Sequence, residues 1–406
     1  MAHGRPILVA GYVLLAAGLA QAQIDPEPRE LVQLGHNQPL QGKAPLSGYA
    51  FYYGNIPHWH RTNLTLRLAI APVYLDSELG VAGVLGPNTD LGFGMAGGGF
   101  ADTYSEIRRG KYLQRESFTG HGGGLSASLY HLFNPGDRIP LNAVVHVSGH
   151  YATYSEDSKT DRAFELPEDQ LSTRVRAGLR WGGREPLMMP DLAMELSAWY
   201  EAEVRAGSSS YGFANDRRVR PDAHLFWGRA MLTYTLPESK HSFTVSLTAG
   251  TSVHPDRFSA YRLGGVLPLV SEFPLTLPGY YFQELSARSF GLLAGDYAVP
   301  LDSRQRLSVA ASAAVAVVDY VEGLEQPGRW HSGVGAGVIY RSPTDSWHML
   351  MGYGYGIEAI RSGHRGAHSI GFLVQFDLGR NRNPLFNPGE NAARSRGLQR
   401  LFQIFR

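Results

Sequence analysis

Residues 171–181 read Leu171-Ser172-Thr173-Arg174-Val175-Arg176-Ala177-Gly178-Leu179-Arg180-Trp181. Val175, Ala177, Leu179 and Trp181 alternate with Arg174, Arg176, Gly178 and Arg180. A strand built from them has one apolar face and one cationic face. Shortly afterwards Leu192, Met194, Leu196, Ala198 and Tyr200 alternate with Glu195, Ser197 and Glu201. Upstream, Leu64, Leu66, Leu68 and Ile70 alternate with Asn63, Thr65, Arg67 and Ala69. Such stretches recur along most of the chain. Repeated this often behind an export signal, a period of two describes an all-β, transmembrane antiparallel β-barrel, with lipid outside and a polar lumen.

The export signal is read at 1–22. Arg5 opens it, Ile7 to Leu19 is the apolar run, and Ala20-Gln21-Ala22 has the small-x-small form of a cleavage site. An uncleaved anchor is the other reading, but the run falls short of the roughly 18 residues a spanning helix needs. No later segment reaches that length without charges, so helical spans are excluded. The chain has 406 residues and no cysteine, which excludes a disulfide scaffold and a thiolate metal site. Lys and Arg number 37 against 36 Asp and Glu, so no global field draws nucleic acid. A mean hydropathy of -0.19 is no objection to a membrane barrel, whose polar half faces the lumen. The 48 glycines and 21 tyrosines suit curved strands and interfacial girdles.

The spacing predicts about sixteen strands, the first at Tyr49–Gly54, the fifth at Lys111–Ser117 and the last at His368–Leu378. Around them the chain divides into a signal peptide (1–22), an irregular periplasmic lead (23–47), the barrel (48–378) and a basic tail (379–406). Tight turns are read at Asn134–Pro140, Gly182–Pro190, Pro237–Lys240, Pro300–Arg304 and Arg341–Ser346. Longer loops are read at Ser155–Gln170, Ala206–Pro221, Ser252–Ala287, Val321–Trp330 and Glu358–Ala367. Short and long connections on opposite ends fit periplasmic turns facing extracellular loops. An antiparallel soluble sandwich would alternate in hydrophobicity too, but it would not predict one-sided loop lengths.

From Tyr261 to Pro300 three motifs follow in order: Arg262-Leu263-Gly264-Gly265, Pro278-Gly279-Tyr280 and Asp296-Tyr297-Ala298-Val299-Pro300. Five strands remain after the loop, and Ala316-Val317-Val318-Asp319-Tyr320 lies in one of them. This region resembles the signature of the bacterial surface antigen superfamily, covering roughly the last third of the chain. The resemblance implies a sixteen-stranded barrel of the outer-membrane protein-assembly or two-partner-secretion type. It also implies a loop that dives into the lumen on an Arg-Gly-aromatic tip. Pro278 stands where the family's tip arginine would be, periplasmic repeats are not expected ahead of the barrel, and the chain continues past its last strand.

The loop Ser252–Ala287 is the leading functional candidate. Pro268, Pro274 and Pro278 stiffen it, and Val266, Leu267, Leu269, Phe273, Leu275 and Leu277 need cover. Folding into the lumen supplies that cover; a rigid extracellular cap is the bland alternative. In the lumenal reading Arg262, Gly264, Gly265, Pro278, Gly279, Tyr280 and Asp296 are the functional candidates. Tyr280 is expected against polar lumenal groups, with Arg262 or Arg288 near an acidic wall group. Arg174, Arg176 and Arg180 face Glu195, Glu201 and Glu203, either as ion pairs stiffening the wall or as an anion-selective constriction.

Several motifs are set aside. Gly92 to Gly97 spells a glycine-rich nucleotide fingerprint but opens no helix. His58/His60 and His364/His368 have metal-like spacing without a supporting carboxylate, so no metal and no cofactor is expected. Ser148 and His150 point alike, yet no third catalytic group accompanies them, and the chain reads as a non-enzyme. In the tail, Leu398, Leu401, Phe402 and Phe405 recur among arginines, fitting either a short amphipathic helix or a disordered end. The expected partners are outer-membrane lipid and a polypeptide substrate or envelope proteins. The expected place is the bacterial outer membrane, and the expected role a conduit or scaffold in envelope biogenesis or protein translocation. A passive porin-like channel for small solutes is the rival.

Overall fold

Strands with one apolar face still need a partner on each edge, and a closed ring meets that need without leaving an edge open. The computed structural model describes residues 28–45, 47–135, 137, 139–182, 192–267 and 273–379. Sixteen antiparallel strands form the ring. The first six are β1 (Arg29–Pro39), β2 (Gly48–Pro57), β3 (Leu64–Ala71), β4 (Tyr74–Val81), β5 (Thr89–Gly98) and β6 (Phe118–Leu132). Then come β7 (Leu141–Glu156), β8 (Gln170–Gly182), β9 (Leu192–Arg205), β10 (Asp222–Thr235) and β11 (Ser242–Val253). The last five are β12 (Leu285–Pro300), β13 (Leu307–Tyr320), β14 (Trp330–Arg341), β15 (Trp347–Arg361) and β16 (His364–Asp377). Each pairs with the next, and β1 pairs with β16 from Leu31↔Asp377 to Pro39↔Ser369, which shuts the ring. A closed ring rules out the sandwich.

The first and fifth strands differ from expectation in compensating ways. Arg29–Pro39 falls inside the span read as an irregular lead, yet it is β1. Polar residues sit on both of its faces (Glu30, Gln33, His36, Asn37, Gln38), so no apolar stripe marks it, and its backbone partners on β2 and β16 make it a strand. Conversely, the span Lys111–Ser117 is no barrel strand. It holds a two-residue strand, Lys111–Tyr112, and a 3-10 turn, Gln114–Glu116, within the connection between β5 and β6. The signal peptide and all but the first residue of the basic tail lie outside the described residues.

Connections at one end are short: 58–63, 82–88, 236–241, 301–306 and 342–346. At the other end 99–117, 157–169, 206–221, 254–284 and 321–329 run longer. The loop read at Glu358–Ala367 is a correction. The β15–β16 ladder bulges between Gly356 and Ile360, then resumes at Ile360↔Arg365 and Arg361↔His364. A two-residue turn closes it, with positive φ at Ser362 (52°) and Gly363 (85°), as tight hairpins require.

Alternation sorts side chains as the period demands. Leu179, Leu196, Leu247 and Leu293 point outward and are each just over half exposed, as a surface awaiting lipid would be. Their neighbours Arg180, Ser197, Thr248 and Leu292 point into the ring. Over the long-loop end a second core forms from Tyr104, Phe118, Phe164, Tyr211 and Val219, with Phe258 packed against it. Fully buried Glu106 sits beside it, accepting from Tyr104 Oη (2.6 Å) and paired with Arg108 (3.2 Å), Arg257 (3.3 Å) and Arg217 (3.7 Å). Burial raises the Tyr104 and Tyr211 phenols well above their usual value, so both stay neutral, and Tyr104 donates to Glu106. The connections therefore build a folded cap.

Candidate functional site: the lumen and its hairpin

After β11 the chain passes through the cap and returns along β12 as a short strand, Tyr261–Leu263, paired with Leu285–Ala287. Gly264 and Gly265 then turn it into the ring. Leu275 O accepts from Gly264 N (2.9 Å) and Gly265 O from Leu277 N (3.0 Å), so the two legs of a hairpin are tied at its neck. Leu277, Tyr280 and Tyr281 are almost wholly buried.

Past the neck, on the return toward β12, the turn Pro278-Gly279-Tyr280 lies on the inner wall of β14 and β15; the neck bonds enclose residues 266–274, so the segment expected at the tip of the hairpin is not its end. The approach is of backbone on backbone. A Cβ built at Gly333 would lie 2.2 Å from the Pro278 carbonyl oxygen, and one at Gly354 would lie 2.7 Å from Gly279 N. Gly356 meets the Tyr280 ring at 2.9 Å in the same way. Gly279 itself has φ +84°, and its own Cβ would fall 1.8 Å from Gly356 N, so glycine is required on both surfaces. Further down, Val266 and Leu267 cover Gly352 and Gly371. Polar contacts pin the seat: Gly279 N donates to Ser369 Oγ (3.2 Å), Tyr280 Oη meets His331 Nδ1 (3.0 Å), and Asn37 Nδ2 donates to Leu267 O (3.4 Å).

Across the ring the contacts change character. Phe273 stands edge-on to Trp227 (4.2 Å between centroids) and tilted to Trp199 (5.6 Å). The guanidinium groups of Arg229 and Arg176 lie 4.8 and 5.2 Å from its ring centre. Leu267 thus lies against one wall and Phe273 against the other.

Of the predicted wall charges, Glu195 is buried and takes Arg180 (3.2 Å) and Arg229 (2.5 Å) together. Arg174 pairs with Glu201 (3.2 Å) and Glu203 (3.4 Å). Arg176 stacks on Trp199, 4.4 Å from its ring centre. These are ion pairs and stacks that hold the wall and the hairpin.

Of the two arginines expected near an acidic wall group, Arg288 is and Arg262 is not. Arg262 donates to Arg257 O (2.9 Å) and lies 5.1 Å from the Tyr104 ring centre, so it props the cap rather than meeting a wall carboxylate. Arg288 pairs with Asp319 on the neighbouring strand (2.6 Å) in an exposed place. The buried anchor has reversed polarity. Glu284, at the foot of the hairpin, accepts from Arg361 Nη1 (2.8 Å) and Nη2 (2.7 Å), and Arg361 also lies 3.5 Å over Tyr281. Asp296 sits lower on β12, in register with Thr244 and Ser312, and nothing joins it to the hairpin among the described residues. Sequence reasoning missed Glu284, Arg361, Arg229 and His331. The one available signal was a lone arginine and a lone glutamate close to strand ends.

His150 pairs with Asp102 (2.9 Å), away from Ser148, and His58 Nδ1 bonds Thr62 O (2.7 Å) in a short turn. The glycine-rich 92–97 lies within β5.

No family model and no curated protein sequence matches the chain. Solved structures do. CdiB from Acinetobacter baumannii aligns with a TM-score of 0.55 at 10% identity over 86% of this chain and 60% of that one. CdiB from Escherichia coli aligns at 0.55 and 13% identity, over 87% and 64%. BamA from Haemophilus ducreyi lacking POTRA domains 1-3 aligns at 0.51 and 10% identity, over 86% and 70%. The chain spans less than two thirds of either CdiB structure. At these identities the likeness is one of fold, and it is the barrel fold to which the Tyr261–Pro300 motifs pointed.

Proposed function

We propose that this chain is an outer-membrane barrel of surface antigen type, closed at rest by its own hairpin, and that it serves as a conduit or scaffold for polypeptides in envelope biogenesis. One observation carries the reading. The Pro278-Gly279-Tyr280 turn rests on wall glycines so closely that neither surface tolerates a side chain. A passive solute channel has no use for so fitted an obstruction. A barrel that opens for a large cargo does, because a seat held by packing and a few polar contacts can be vacated without breaking the ring. The likeness to CdiB and BamA barrels supports the same class of role.

The reading is tested in planar bilayers. The purified barrel should give small, irregular conductance, and removal of residues 268–280 should give large, steady steps. Large, steady, ion-selective conductance from the intact chain would favour the porin-like reading and end this one. A product recovered in soluble form, with no heat-modifiable migration on a gel, would remove the membrane assignment.

A further inference from the structure

Strands β3 and β4 have eight residues each, against fourteen to sixteen in β12, β13, β15 and β16. At about 3.4 Å per residue and a tilt near 40°, eight residues climb only about 20 Å, less than the roughly 25 Å apolar band of such barrels. The turn between them lies at the long-loop end, and Val73 and Tyr74 stand exposed there. At the opposite end Val84 and Leu85 are exposed as well. Here the wall is lower than the lipid it faces.

In the same sector the outward face is hollowed. One row across the strands runs Leu75↔Gly97 and Gly97↔Gly123, then Gly123↔Tyr151, so two glycines lie side by side between larger residues. The next row sets Met95 beside Leu125, both more than half exposed. The result is an apolar groove of about 470 Å³, floored by Gly97 and Gly123 and rimmed by Leu75, Met95 and Leu125. Phe100 and His121 pack together above it, 6.0 Å between ring centres, where the aromatic girdle belongs.

We propose that this groove seats a lipid acyl chain from the leaflet at the long-loop end. The inference rests on the barrel spanning a membrane and not on its cargo. The groove lies within the outward apolar belt, so its occupant comes from the bilayer. Its glycine floor lets a chain lie against backbone, and the low wall beside it exposes that chain to a thinned patch of membrane.

The test uses the full chain in vesicles of phosphatidylethanolamine and phosphatidylglycerol carrying a phosphatidylcholine with a photoreactive acyl chain. Crosslinks should concentrate on residues 95–125 over other outward strands. A Cβ at Gly123 meets only Ala96 O at 3.6 Å and Gly97 Cα at 4.0 Å, and the residue is not in a left-handed conformation. Gly123→Leu should therefore fill the groove, and the concentrated labelling should be lost while heat-modifiability stays. Leu75→Trp fills it from the rim and should do the same if Gly123→Leu folds poorly. Labelling spread evenly around the belt, or unchanged by both substitutions, overturns the proposal. Absence of labelling on any strand overturns it together with the membrane assignment.

Discussion

The two walls that the hairpin touches hold it by opposite means. On β14 to β16 the inner surface is nearly bare: Gly333, Gly335, Gly352, Gly354, Gly356 and Gly371 let a loop backbone lie on a strand backbone. On β8 to β10 the surface is crowded with charge and aromatic rings, and Phe273 is gripped among Trp227, Arg229 and Arg176. A wall of glycines specifies by excluding volume, so almost any side chain added there should evict the hairpin. A wall of ion pairs specifies by compensation, so a group removed there weakens the barrel while leaving the hairpin seated. Position and stability are thus assigned to different sides of one ring.

The sharpest way to break that division is on the glycine side. Gly279→Val adds a side chain at φ +84° and about 2 Å from Gly356 N, and we expect at least about 2 kcal/mol of overpacking and backbone strain. Bilayer recordings should show the closed barrel replaced by large, steady steps; a variant that stays closed would mean the seat of the 278–280 turn does not seal the lumen. On the charged side, Glu195→Gln leaves Arg180 and Arg229 without their carboxylate. Urea unfolding should register a loss of about 3 kcal/mol, with resting conductance still small. Conductance rising as much as in Gly279→Val would erase the distinction between the walls.

Phe273→Ala tests the meeting of the two. Ring packing and the cation–π contacts should be worth about 1 to 2 kcal/mol. The expected result is brief flickering openings, since the 278–280 turn keeps its glycine seat; permanent opening would show that the charged wall, not the glycine wall, holds the hairpin. The smallest effect belongs to a turn outside both. Asp302 accepts from Leu307 N (3.0 Å) and Arg306 N (2.7 Å), and these backbone bonds hold its carboxyl below the ordinary carboxylate range. A depressed value means its contribution is complete above the usual carboxylate pKa and fades as pH falls through the lower folded one. Asp302→Asn should flatten that acidic limb slightly in thermal unfolding, and an unchanged limb would remove Asp302 from the account.

The long, periodic strands were legible because alternation is a property of each strand alone. Val175 to Trp181 announces β8 without reference to anything else. β1 was not legible, because Glu30, Gln33 and Asn37 give it no apolar stripe and its identity depends on partners some 340 residues away, as the Gln33–Gln375 hydrogen bond illustrates (|i−j| = 342). The same distinction divides the site. The hairpin declared itself through prolines and apolar residues that need cover, while its anchor, Glu284 to Arg361, joins residues 77 apart and obeys no local pattern. Nor does spacing say that Phe273 would find Trp227. Close approach also hides in plain view: a glycine every second residue on β14 and β15 reads as strand weakness until the loop lying on it is known.

The seam between β1 and β16 has a kinetic meaning. Joining Leu31 to Asp377 closes a loop of nearly the whole chain, and contacts so distant in sequence form slowly because their entropy must be lost before any neighbouring bond rewards it. β1 can pair early with β2, but its other edge is therefore the last to find a partner. Until β16 is delivered, β1 presents an open row of backbone donors and acceptors, and every other strand can be in place while the cylinder still gapes along that one line. A chain cut short before His364 should form most of its ladder and never become a tube.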